Sequence, residues 1–179
     1  NLMGAFKFVS EVEKYNGDIK KKKAEAEEKG EEFTKTPLIP VLGCEFYISE
    51  RPEQKQFTKD DPDRRTNMVL IAKNFRGYKN LAKLSSLGFT NGYYAGVPRI
   101  SKKQIVEFKE DLIAVTSGIY GDVPNAILNF GEQKGEELFL WWKEQFGEDF
   151  YVQIQNHDLP DEEHLNEVLL DLADKHDVK

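Results

Sequence analysis

The sequence predicts a soluble α/β domain, in which strands alternate with amphipathic helices around a sheet. Two observations carry that prediction. Short apolar runs rich in β-branched and aromatic residues recur at 38–49, 67–73, 112–117 and 150–155, which reads as buried strands. Between and beyond them lie stretches with apolar residues at three- and four-residue spacing, the signature of one buried helix face. Such an order predicts parallel strands covered by helices, and an open sheet and a barrel both satisfy it.

In chain order, residues 2–15 (LMGAFKFVSEVEKY) place apolar residues at 2, 5, 6, 9 and 12, and Asn16-Gly17 reads as the stop of that helix. Residues 18–36 follow as a charged insertion or mobile segment. Lys20 to Lys23 would form a basic patch, but Glu25, Glu27, Glu28, Glu31 and Glu32 nearly cancel it, so a solvated helix is the plainer reading. Leu38 to Ser49 (LIPVLGCEFYIS) is the longest apolar run and the first buried strand, and its single acid is Glu45. A carboxylate on a buried strand is costly unless it turns to solvent or meets a cation.

Residues 50–66 read as a polar loop, and 67–73 as the second strand. Residues 75–87 make a helix stopped by Gly88. Residues 89–100, dense in Gly and Tyr, are loop-like. Ser101 caps a short helix through Phe108, and 112–117 is the third strand, closed by Gly118. Two helices cover 123–130 and 133–146, with Trp141 and Trp142 as core and shell residues. The fourth strand, 150–155, precedes a helix over 161–176 capped by Asp161 and burying Leu165, Val168, Leu169, Leu172 and Ala173.

Composition narrows the function classes. Of 179 residues, 39% are hydrophobic and 12% aromatic, enough for a core, and no run approaches the ~20 apolar residues of a membrane span. The net charge of −7 disfavours non-specific nucleic-acid binding, which rests on Lys and Arg, though it leaves room for a local basic patch. The single cysteine, Cys44, forbids an internal disulfide and suits a cytoplasmic protein. Neither a dinucleotide nor a P-loop glycine motif is present.

Six blocks in series carry a resemblance: NLMGAFKF (1–8), PVLGCEFYIS (40–49), VLIAKNFRGYKNLAKLSSLGF (69–89), YYAGVPRI (93–100), LIAVTSG with GDVP (112–124), and FGEDFYVQIQNHDLPDEEHLNE (146–167). In order and spacing they resemble the PHP (polymerase and histidinol phosphatase) domain of bacterial replicative DNA polymerase alpha subunits. The resemblance implies an irregular, TIM-like (β/α)7 barrel of parallel strands ringed by helices. It also implies that residues 1–179 are a single partial PHP domain, lacking the family's first and last histidine-containing motifs.

PHP sites gather His, Asp and Glu around metal ions that activate water and clamp phosphoryl oxygens. The resemblance places Glu45 at a ligand position, near the C-terminal end of its strand. It places Asn67 and Ile119 where metal-binding members carry His, or Cys or His. Asn is a poor ligand for zinc-like ions and Ile is none. The set therefore reads as degenerate: no cofactor is expected here, and Zn, Mn or Mg would need a complete site. His157 falls at the rim, while His164 and His176 read as surface residues. Arg99 is placed to contact phosphate or a neighbouring domain, or to form a salt bridge.

The function so implied is that of a structural or interaction module of a DNA-directed DNA polymerase, itself without catalytic residues. Its partners would be the rest of the alpha chain, the proofreading exonuclease subunit, and DNA through the parent enzyme, with no membrane involved. The rival is a metal-dependent phosphoesterase or 3′–5′ exonuclease.

Overall fold

A computed structural model describes residues 2–179, which form two compact units, 2–42 and 43–179. The first unit holds α1 (Ala5–Lys29), followed by a segment with no regular structure. The helix runs straight through Asn16-Gly17, where a stop was expected. The Asn16 side chain is occupied in a different way: its amide donates to the Leu38 carbonyl and accepts from the Leu38 N–H, both at 2.8 Å. An Asn whose amide is spent on a distant backbone does not compete with its own helix. The terminus falls instead at Gly30, left-handed at φ 69°, whose N–H closes the last turn. The charged stretch from Asp18 to Lys29 is thus helical. Leu38, Ile39 and Val41, read as strand, are exposed and outside any sheet. Pro37 and Pro40 account for this, since each removes a ladder donor.

The second unit is built on a five-stranded sheet in the order β3-β1-β2-β4-β5. The strands are β1 (Gly43–Ile48), β2 (Thr66–Ala72), β3 (Arg99–Ile100), β4 (Leu112–Val115) and β5 (Phe150–Tyr151). The helices are α2 (Phe75–Thr90), α3 (Lys102–Glu107), α4 (Asp122–Phe130), α5 (Glu132–Phe146) and α6 (Pro160–His176). The mixed α/β class with a parallel-containing sheet and surrounding helices is as the sequence predicts. β3 pairs parallel to β1, and β5 parallel to β4. β2 alone runs the other way, antiparallel to β1 and β4. No helix separates β1 from β2, and the polar loop over 49–65 brings the chain back beside β1 as an antiparallel neighbour.

Alternation sets the faces. On β1, Cys44, Phe46 and Ile48 are buried while Gly43, Glu45 and Tyr47 are exposed. Met68 and Leu70 of β2 and Leu112 and Ala114 of β4 extend the buried face. Leu81 and Leu84 of α2, Ile127 of α4, Phe139 and Trp142 of α5, and Leu169 of α6 are buried in the same unit. Trp142 is core and Trp141 half-exposed, as expected. Ser101 caps α3 in a full capping box with Gln104.

Other boundaries move. α2 passes through Gly88, which is buried where an added Cβ would sit 3.2 Å from Pro98, so that glycine serves packing rather than termination. α6 starts one residue early because Pro160 takes its first position, and Asp161 lies in the first turn instead of capping. The loop between β1 and β2 is held by Arg51, which grips Asp61 through both guanidinium ends and, with Gln54, brings that carboxyl down to about 2.

Candidate functional site

A cleft of about 250 Å3 opens over the exposed face of β1 and β2, and it brings together Glu45, Asn67, Ile119 and His157. These four positions are far apart in sequence, so their meeting is a property of the fold. Glu45 reaches the cleft by strand alternation. It lies in the middle of β1, not near the C-terminal end as expected, because Tyr47 and Ile48 continue the strand by pairing with Arg99 and Ile100 of β3. Glu45 faces Val69 across the ladder, and Asn67 sits diagonally on the same face. The Asn67 amide donates to Glu45 Oε1 at 3.1 Å.

The second wall is the turn from Ser117 to Gly121. The Asn67 N–H donates to the Tyr120 carbonyl at 2.8 Å, and the Val69 N–H donates to the Ser117 hydroxyl at 2.9 Å. Ser117 itself is left-handed, at φ 64°. The two flanking glycines allow close approach. A Cβ on Gly121 would fall 2.0 Å from the Thr116 carbonyl, and one on Gly118 would fall 2.2 Å from Gln155 Oε1. Ile119 and Tyr120 are carried between them into the cleft.

The third wall is Gln155 to Glu162. Glu162 is almost fully buried, and accepts from the His157 N–H at 2.6 Å and from its ring Nδ1 at 2.8 Å. Its carboxyl is held below the usual value near 4.5, chiefly by the His157 ring and then by the His157 amide. A depressed carboxyl contributes stability that is present above its unfolded value and lost as pH falls through the folded one. Protection of the His157 amide from hydrogen exchange should therefore hold at neutral pH and fall away in acid below about pH 4.5. Glu162→Gln should flatten that pH dependence, and an unchanged profile in the variant would rule out the pair as its source.

Glu162 was not singled out from sequence. Its signal was present: Pro160 opens α6, and a Glu two residues later stands where a side chain reaches back to backbone donors ahead of the helix.

Arg99 is not at the cleft, nor does it offer an outward contact to phosphate or another domain. It is fully buried. Its Nε donates to the Gly92 carbonyl at 3.0 Å, and its terminal nitrogens to Asp63 and to the Pro52 and Gln54 carbonyls, each at 2.7 Å. The Phe57 and Tyr94 rings, in tilted contact with each other, lie 5.3 and 5.1 Å from it. Of the readings open to Arg99, the ion pair is the one realised, inside the protein rather than on its surface.

His164 and His176 lie outside the cleft. His164 lines a groove between α5 and α6, larger at about 580 Å3, together with Glu136 and Lys175. His176 is half-buried and meets Glu136 at 2.6 Å, and Lys175 meets the same carboxylate at 2.8 Å.

The donor set of the cleft does not fit a metal cluster. Among the described residues no three His, Cys, Asp or Glu side chains gather closely enough to hold an ion. Asn67 presents an amide N–H to Glu45 where a ligand would present a lone pair, Ile119 presents hydrocarbon, and His157 is tied to Glu162. What the cleft can do is receive a polar group against amides and carboxylates.

The profile of the PHP domain family matches residues 1–157. The chain is 34% identical over 170 residues to the DNA polymerase III subunit alpha of Borreliella burgdorferi, covering 95% of this chain and 13% of that protein. It is 35% identical over 148 residues to that of Aquifex aeolicus, covering 79% and 13%. With that of Pseudomonas aeruginosa it shares 35% over 130 residues, covering 72% and 10%. The chain thus spans 13% or less of the length of these relatives. No helix among the described residues is long and apolar enough to cross a membrane.

Proposed function

The chain belongs to the PHP-domain family, and from that premise we propose that it serves as a structural and interaction module of a replicative, DNA-directed DNA polymerase alpha subunit. The family match runs across both compact units, and we read residues 1–179 as parts of one PHP domain. The observation that carries the proposal is the pairing of Asn67 with Glu45 in a cleft whose third ligand position is Ile119. With an amide N–H aimed at Glu45 and hydrocarbon at Ile119, two of these three positions offer no anionic or imidazole ligand, which is too few to hold an ion that activates water. The polymerase chemistry would reside elsewhere in the longer polypeptide. Partners would be the remainder of that chain and, by family analogy, a proofreading exonuclease subunit.

The test uses the polypeptide as the cell makes it, with and without Glu45→Ala. After dialysis the wild type should carry no metal ion that the variant loses, by elemental analysis. Primer extension should be equal within about twofold, and neither form should show a manganese- or zinc-stimulated 3′–5′ exonuclease or phosphatase activity that depends on Glu45. A stoichiometric metal ion lost on Glu45→Ala, together with loss of such an activity, would establish the phosphoesterase reading in place of the scaffold.

A further inference from the structure

The solvent face of α2 carries a pattern that the cleft does not use. Its exposed positions include Phe75, Lys79, Lys83, Ser86 and Phe89, which fall on one side of the helix at three- and four-residue steps. At the N-terminal end Phe75 stacks with Tyr78, ring centroids 6.1 Å apart and 21° from parallel. At the C-terminal end Phe89 stacks with Tyr93, 5.9 Å apart and 22° from parallel. The rise of a helix sets the two ring pairs about 21 Å apart. Between them lie Ala82 and Ser86, small enough to leave a shallow floor, flanked by Lys79 and Lys83.

Three features fit this face to a ligand rather than to bulk solvent. First, Phe75 is 69% exposed, and Phe89 and Tyr93 are each 48% exposed, so aromatic surface meets solvent at both ends, with the Lys79 ammonium resting 4.8 Å from the centre of the Phe75 ring. Second, Lys79 and Lys83 have no carboxylate partner among the described residues, whereas Arg76 is already engaged by Asp111 and Glu110. Third, the far end is pre-organised: Lys55 donates to the Asn91 carbonyl at 2.7 Å and to the Tyr93 carbonyl at 2.8 Å, fixing the segment that carries the Tyr93 ring. Exposed rings at two ends, with the Lys79 and Lys83 ammonium groups between them and no carboxylate among the described residues beside either, match bases joined by phosphates, since stacking is sequence-tolerant and lysine supplies the backbone contact.

We propose that this face of α2 binds single-stranded nucleic acid, stacking bases on the Phe75–Tyr78 and Phe89–Tyr93 ring pairs and placing phosphates beside Lys79 and Lys83. The site is small and local, so it does not conflict with the acidic charge of the whole chain. It stands apart from the cleft, and its failure would leave the module reading untouched.

The test is photo-crosslinking of the polypeptide as the cell makes it to an oligothymidylate of about ten nucleotides carrying 5-iodo-deoxyuridine, with the crosslinked peptides mapped by mass spectrometry. Mapping separates this face from any other nucleic-acid site on the same polypeptide. The expected result is a crosslink at Phe75 or Tyr78 and at Phe89 or Tyr93. Phe75→Ala and Tyr93→Ala should each weaken it at least about fivefold. Lys79→Glu with Lys83→Glu should abolish it at moderate salt. In the milder Lys→Gln pair the logarithmic salt dependence of that crosslink should fall by about 1.4, the share of two phosphates on a single strand. All these side chains are exposed, and an unchanged thermal midpoint checks that each variant is folded. Absence of crosslinks between residues 75 and 93, or crosslinks indifferent to the lysine changes, would overturn the proposal. So would capture of an acidic protein segment on this face where the oligonucleotide fails to bind.

Discussion

Arg99→Ala should be among the most damaging single substitutions in the chain, lowering the unfolding free energy by about 3–5 kcal/mol. The guanidinium is fully buried and its donors reach four acceptors: Asp63 and the backbone carbonyls of Pro52, Gln54 and Gly92. Removing it leaves a nearly buried carboxylate and the Pro52 and Gln54 carbonyls without these donors, and takes the cation from beside two aromatic rings. The site cannot simply collapse, because Gly92 lies where even a Cβ would fall 1.7 Å from the Arg99 carbonyl. Arg99→Lys should recover only part of the loss, since an ammonium cannot serve the guanidinium's forked set of acceptors. In a chain of this size the alanine variant should melt lower by roughly 6–20 °C. Arg64→Ala, on the exposed side of the same loop, is the control and should stay within about 0.5 kcal/mol of wild type. Equal melting of the two variants would show that the buried pair contributes nothing net. If the domain is a structural module, the Arg99 variant should also lower the heat stability of primer extension by the longer polypeptide, with no loss of its rate at low temperature.

How far this was legible from sequence differs between elements. The helices over 75–90, 102–107, 122–130 and 160–176 follow from local signals: apolar spacing, the Ser101 capping box, and Pro160 at a first position. These depend on residues close in the chain, which is why they are readable. The failures have non-local causes. Asn16-Gly17 is a fair stop signal, and it is overridden because the Asn16 side chain is spent on Leu38. The exposure of Leu38, Ile39 and Val41 shows that apolar content without donors does not make a strand: Pro37 and Pro40 break the ladder. β3 was missed because two residues carry no periodicity, and it exists only through its register with β1.

The cleft divides along the same line. Glu45, Asn67, Ile119 and His157 could be named from the resemblance, and the fold gathers all four. Glu162, despite its local helix-start signal, and Arg99 were not placed, because what defines each is burial. A carboxylate in a run of Asp and Glu reads as surface until a helix start turns it inward onto His157. An arginine in a Gly- and Tyr-rich loop reads as exposed until that loop closes over it.

Beneath the cleft, Asp122→Ala should also cost about 3–5 kcal/mol, and should loosen the site along with the fold. The carboxylate is buried at the start of α4, where the helix dipole favours it. It accepts from the Lys102 ammonium at 2.6 Å and from the Trp142 indole and the Thr66 hydroxyl, each at 2.9 Å. Alanine would leave the indole N–H of a fully buried tryptophan unpaired, and a lysine without its counter-ion beside two tryptophan faces. Thr66 begins the strand that carries Asn67, so slackening here should reach the cleft: the Asn67 amide, bonded to the Tyr120 carbonyl, should exchange faster in the variant than its global stability requires. Asp122→Asn separates the contributions. It can keep one oxygen for Thr66 or Trp142 but loses the charge facing Lys102, so it should fall between wild type and alanine. Combined with Lys102→Met it should lose less than the sum of the two single changes, because neither charge is then left without the other. Asp174→Ala, on the exposed side of α6, sets the scale for an acid with no such partners. If Asp122→Ala matched Asp174→Ala in denaturant unfolding, the buried knot would be an ornament of packing, and the position of Asn67 would have to be explained by the strand ladder alone.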